Sequence, residues 1–470
     1  MDKAQELADL ILRSAYSISK ASLGALAAAF LLAGTFLPVN SAHGQEMSLI
    51  RDTETENVIR SYLDPLLYAA GLNPYAVQIH IINDPTINAF VSGGQHLFVN
   101  TGLITNLESP NQLIGVLAHE TGHIAGGHLI RTREGARAAS VPMLLSMAAG
   151  LAVAVAGLPE AGLALMMSGQ NFAMGSFFAF SRAQESIADQ SAIRYLEATQ
   201  QSGRGMLEVF RRFEGQEILS YQQQQNYARS HPAPRDRIGR LETLVEASPF
   251  AEKKDPPEID HAFRMLRGKL RGYTNRPAAT LRQYPETDTS SEARYARAMA
   301  YFRQPDMAKA FGEMESLLAE EPNNPYFLEM YGQINVDMGR IAEGVGPYEK
   351  AVALMPDAPQ IRAAYGSALL STGIPENVEH AKEELETALA QDAELWFGWY
   401  ELAKAYNQLG LQGEAQLATA ERYFTVGAYP LAVQFAYRAQ QRLESGTRDW
   451  QRANDIMAVA QAQLPPDARN

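Results

Sequence analysis

Apolar positions at Ile50, Val58, Ile59, Tyr62, Leu63, Leu66 and Leu67 recur three and four residues apart across residues 47–70, the spacing of a helix with one buried face. Val77–Ile82 is short and β-branched and predicts a strand, and Asn83-Asp84-Pro85 closes it with a turn. Asn88–Val91 and Gln95–Val99 flank Gly93-Gly94, which predicts two strands joined by a glycine turn. Such a strand could hold an extended chain by main-chain hydrogen bonds, or simply cover the core. The apolar run Asn111–His119 then predicts a helix, and a further helix opens at Ser181 and runs to about Ala198.

Between them, Val141–Leu158 runs eighteen residues without a charge, breaks at Pro159-Glu160 and resumes over Ala161–Met167. Its length and Ala/Gly-rich composition fit three readings: a buried helical hairpin, an element touching a membrane interface, or a span. Met143, Met147, Met166, Met167 and Met174 give this region adaptable apolar surface.

Past residue 288 the pattern becomes periodic. Pro322 and Pro356, Gly332 and Gly366, and Gly339 and Gly373 are each 34 residues apart. That period marks tetratricopeptide repeats, paired helices stacked into a solenoid. Glu292–Glu320 reads as the first pair, and Pro430–Leu443 with Asp449–Gln463 as end helices. Asp255-Pro256-Pro257 and Arg276-Pro277 to Glu286 read as linkers. The expected division is a leader over 1–44, a first domain over 45–275, a linker over 276–288 and the repeats over 289–465.

The 470 residues are enough for two or three domains, and the net charge of -13 argues against nucleic acid as a partner. The absence of cysteine excludes disulfides, thiolate metal sites and cysteine nucleophiles. At the N-terminus, Lys3, Arg13 and Lys20 precede an apolar core from Leu23 to Val39, followed by small residues Ser41, Ala42 and Gly44. This predicts an export signal, with a retained anchor or a soluble helix as alternatives.

With cysteine excluded, any metal falls to His, Asp or Glu. His119-Glu120-Thr121-Gly122-His123 places two imidazoles on one helix face, where both can grip one zinc ion. Glu120 is turned aside and is placed to carry a proton between an attacking water and a leaving amine. Downstream, Glu185 and Asp189 share a helix face; one could ligate and the other orient an imidazole. His231 precedes Pro232 and so has a restricted backbone. It could stabilise an oxyanion, fill the open metal position, or be a surface histidine. His128 reads as a structural residue at the helix end, and His96 has no evident role.

Taken together, His119-Glu120-x-x-His123, Glu185-x-x-Ala188-Asp189, Asn88-Ala89-Phe90 and Ser230-His231-Pro232 with Arg237 resemble the HtpX/Oma-type gluzincin metalloendopeptidases. The resemblance runs from about Met47 to Leu270. It implies one Zn2+ per chain held by His119, His123 and Glu185, with Glu120 as general base. It also implies that Asp189 steadies a ligating histidine and that His231 and Arg237 cap the zinc or stabilise the intermediate. Ser186 stands where such enzymes usually have a tyrosine or hydrophobic residue. The expected fold is mainly α, an α+β gluzincin domain with a small sheet followed by an α-solenoid.

An exported gluzincin followed by such repeats resembles the periplasmic proteases of this domain order, and the resemblance implies a membrane-associated quality-control protease. Its expected partners are unfolded or misassembled polypeptides and the outer-membrane β-barrel assembly machinery, with peripheral membrane contact. The alternative is a non-proteolytic, chaperone-like adaptor acting through the repeats.

Overall fold

A computed structural model describes residues 48–155, 158–214, 227 and 230–464. The leader, the glutamines at 222–225 and the C-terminal six residues lie outside the described residues. Elements are named in chain order.

Strand β1 (Leu49–Ile50) leads into α1 (Thr53–Ala69), which starts where the Asp52 carboxylate accepts from the Thr55 amide. Strands β2 (Gln78–Ile82), β3 (Ala89–Ser92) and β4 (His96–Asn100) complete a sheet ordered β1-β2-β4-β3. The β3–β4 pair is the expected hairpin, antiparallel, with Gly93 and Gly94 at positive φ in its turn. β2 and β4 run parallel, so β3 forms one edge of the sheet. His96 is not idle: its Nδ1 lies 2.9 Å from His80 Nε2 on the neighbouring strand.

Short α2 (Thr101–Asn106) precedes α3 (Pro110–Ala125), which begins with Pro110 behind a Ser109 cap and ends at Gly126. Its apolar face joins Leu63, Leu66, Leu97 and Val99 in the main core. Next come α4 (His128–Val155) and the 40-residue α5 (Pro159–Ala198), packed as an antiparallel pair. The helix expected to open at Ser181 is thus the last part of α5.

The reading of residues 141–167 as a buried hairpin is overturned. Leu144, Leu145, Leu151 and Leu163 are each more than half exposed. The reason is topological: beyond Gly135 and Phe180, α4 and α5 pack on each other, Gly150 against Gly162 and Gly169 against Ser146. Among the described residues no helix is long and apolar enough to cross a membrane.

Helices α6 (Arg204–Arg211) and α7 (Arg235–Ala247) close the first core. α8 (Pro257–Thr274) packs on α10 (Ser291–Arg303), and Arg267 pairs with Glu292 at 2.8 Å. Within the segment read as a linker, Pro277–Gln283 forms the short helix α9.

From α10 the chain is a series of helical pairs, including Pro325–Asp337 with Ile341–Leu354 and Pro359–Ser371 with Pro375–Gln391. Gly332 and Gly366 let a partner helix approach: a Cβ would lie 2.8 Å from Tyr348 and 2.7 Å from Leu385. Gly339, Gly373 and Gly410 end the first helices at positive φ. The solenoid folds back on α1. Arg51 meets Asp392 at 2.6 Å, and Asn57 reaches Tyr326 at 3.2 Å.

Candidate metal centre

Three elements that are distant in sequence build the site. α3 supplies His119, Glu120 and His123; α5 supplies Glu185 and Asp189; the Ser230–Pro234 turn and the first turn of α7 supply His231 and Arg237. Gly122 sets the spacing of α3 and α5. A Cβ there would stand 2.8 Å from the Ala188 carbonyl oxygen, so only glycine lets the backbones approach this closely. Glu185 and Asp189 flank Ala188 and are thereby carried to the histidines.

His119, His123, Glu185 and His231 each offer one ligand atom, and these atoms lie within 4.8 Å of one another. His119 Nε2 is 3.0 Å from His123 Nε2 and 3.2 Å from His231 Nδ1. Glu185 places Oε2 3.4 Å from His119 Nε2 and Oε1 3.3 Å from His123 Nε2. A tetrahedral zinc with bonds of about 2.1 Å separates its ligand atoms by about 3.4 Å, close to these values. Two imidazole lone pairs converging at 3.0 Å repel unless a proton or a cation lies between them, so the donor set fits a zinc ion.

Around the donors is a ring of partners. His119 Nδ1 lies 3.0 Å from Asp189 Oδ1. Arg237 grips Asp189 through Nε and Nη2 and touches Glu185 Oε2 through Nη1 at 2.8 Å. Its guanidinium sits over Phe210, whose ring meets His119 edge-on. Pro232 and Pro234 stiffen the His231 turn, and the His231 amide donates to the Tyr227 carbonyl.

His128 stands at the start of α4, as the sequence reading had it, and is not among the convergent donors. Its Nδ1 lies 3.0 Å from His123 Nδ1, which turns His123 Nε2 toward the other donors. Gly127, at positive φ, folds the chain back between the two helices and brings His128 to His123.

Charge follows geometry. Burial lowers the His119 pKa, but Asp189 and Glu185 outweigh it and carry the group up to about 9. Burial, with cationic neighbours, takes His123 down to about 3. Glu185 stays well below the ordinary carboxylate range: burial opposes ionisation, but His231 and Arg237 overcome it. Arg237 does the same for Asp189. Burial raises Glu120, and among the described residues neither of its oxygens has a hydrogen-bond donor. His231 Nε2 stands 3.4 Å from Glu120 Oε1. The centre therefore holds ionised carboxylates for a cation beside a carboxyl able to exchange a proton.

Residues 53–245 match the model described as peptidase family M48. The chain is 22% identical over 376 residues to the beta-barrel assembly-enhancing protease of Escherichia coli, covering 78% of this chain and 75% of that one. A Vibrio cholerae relative of that name is 23% identical over 414 residues, covering 85% and 84%. The mitochondrial metalloendopeptidase OMA1 of Schizosaccharomyces pombe is 28% identical over 205 residues, covering 41% and 54%.

Proposed function

We propose, from the match of residues 53–245 to the peptidase family M48 model and the group of side chains able to hold a metal ion, that the chain is an exported, periplasmic zinc endopeptidase that degrades misassembled outer-membrane proteins and assists β-barrel assembly. The observation that carries the catalytic part is the convergence of His119, His123, Glu185 and His231 beside a buried Glu120. The cellular part is supported by relatives, similar over most of the chain, that are named β-barrel assembly-enhancing proteases.

His119, His123 and Glu185 would hold a zinc ion, which when bound would supply Lewis acidity for the peptide carbonyl and the attacking water. Glu120 accepts the water proton on a carboxylate oxygen and returns it to the leaving amine. Asp189 fixes the His119 tautomer by accepting from Nδ1 at 3.0 Å. Arg237 holds Asp189 and Glu185 in place and supplies fixed positive charge near the developing oxyanion. The β3 edge binds an extended substrate strand through its backbone, which favours unfolded chains.

His231 sits within ligand distance of the whole group and covers Glu120. In this reading it caps the centre at rest and withdraws when substrate enters. The repeats present clients and contact the assembly machinery, and the domain touches the envelope membrane peripherally.

Glu120→Gln tests the enzyme reading: peptide cleavage is lost while zinc content and partner binding persist. If that variant supports every activity of the parent, the function lies in the repeats as a chaperone-like adaptor.

A further inference from the structure

We infer that the far end of the α4–α5 hairpin is a membrane-docking element that inserts into one leaflet and binds anionic lipid headgroups at its base, an inference that rests on the peripheral membrane contact proposed above.

The first observation is composition in place. Between Ala138 and Ser181 the only charged residue is Glu160, although charged residues make up 20% of the chain. The second is exposure. Val141, Leu144, Leu145, Leu151, Leu163 and Phe172 are each between 55% and 66% exposed. Water-facing apolar surface of this density is not a feature of an uncovered soluble helix.

The distribution of these side chains identifies the cover. On α5, Leu163, Met167 and Met174 project to one side and Leu165 and Phe172 to roughly the opposite side, at 100° per residue. A protein groove covers one face of a helix. Apolar side chains on both flanks suit a fluid surround. The two helices meet along small residues: Gly150 abuts the Gly162 carbonyl, and Gly169 abuts Ser146. This contact leaves the large side chains pointing outward.

At the base the chemistry changes abruptly. Arg131, Arg137 and Arg182 are exposed and form no ion pair among the described residues. They complement phosphate headgroups at about 1 kcal/mol each. The apolar zone from residue 138 to the turn at Leu158 is about 30 Å long at 1.5 Å per residue. Among the described residues, however, no helix is long and apolar enough to cross a membrane. Glu160 at the far turn and the arginines at the base instead favour an oblique, single-leaflet pose with both ends at headgroup depth. His128 and Glu185 root the two helices, so docking holds the centre close to the bilayer.

The chain has no cysteine, so Leu151→Cys takes a single environment-sensitive fluorophore, with Leu354→Cys on the repeats as the control site. Both are made in the full-length chain carrying Glu120→Gln, so the readout is independent of proteolysis. Vesicles of phosphatidylethanolamine with phosphatidylglycerol should blue-shift the label at 151 and leave the label at 354 unmoved. Leu145→Glu with Phe172→Glu, both at exposed positions that leave the fold intact, should weaken vesicle co-flotation roughly tenfold or more. Arg137→Glu with Arg182→Glu should remove the dependence on phosphatidylglycerol. The inference is overturned if the label at 151 does not respond to vesicles. It is also overturned if the label responds instead to unfolded polypeptide without lipid, or if Leu145→Glu with Phe172→Glu converts an oligomer to monomer without changing flotation.

Discussion

Arg237 and Asp189 meet through two parallel hydrogen bonds, Nε to Oδ2 at 2.6 Å and Nη2 to Oδ1 at 2.8 Å. Both are buried, and Asp189 uses Oδ1 also to face His119 Nδ1 at 3.0 Å. A guanidinium on α7 therefore fixes the orientation of an imidazole on α3 through a carboxylate on α5.

Asp189→Asn should break this chain of contacts. It leaves Arg237 with a weaker buried partner and frees the His119 ring. Zinc affinity should fall about 10–100-fold in chelator competition. Urea unfolding should show a loss of about 3 kcal/mol, the usual scale for stranding one member of a buried pair.

His231→Ala should raise basal peptidase activity severalfold, because a side chain within 3.2 Å of both His119 and Glu185 no longer occupies the substrate side. Zinc content should not change. A loss of activity with unchanged substrate affinity would instead make His231 a stabiliser of the oxyanion.

His128→Ala removes the partner that orients His123 at 3.0 Å. The zinc off-rate, measured by chelator chase, should rise by about tenfold or more. His128→Asn, which can still accept a hydrogen bond, should recover part of the loss. Equal off-rates in all three proteins would refute a positioning role.

Glu329 lies between the repeats and α1, where burial raises its carboxyl to about 7, with Asp52 and Glu54 adding to the rise and Lys269 opposing it. A folded pKa above the unfolded value means that stability is full below about pH 4.5 and is lost as pH rises through about 7. Glu329→Gln should therefore match the parent in melting temperature at pH 4 and exceed it at pH 8. Parallel melting curves at both pH values would count against it.

Gly122→Ala should be far more damaging than its size suggests. The added carbon meets the Ala188 carbonyl oxygen at 2.8 Å and pushes α5 from α3. Glu185 then leaves the histidines, and both zinc content and cleavage should drop, on the order of a hundredfold for cleavage.

Some of this protein is local and so was readable along the chain. His119 and His123 share a face because four residues make about one helical turn. The β3–β4 hairpin follows from two glycines that tolerate positive φ between alternating strands. The solenoid follows from a repeat whose proline and glycine positions recur every 34 residues. Spacing placed His128 at a helix end but does not show that Gly127 turns the chain back so that His128 meets His123. What only the tertiary structure decided is non-local. The register of α5 on α3, set by Gly122 against Ala188, places Glu185 some sixty residues on beside the histidines. The exposure of the 141–178 hairpin was likewise undecidable from hydropathy, which reports what a segment avoids and not what surrounds it. Spacing sets which side chains share a face, whereas packing sets what that face meets.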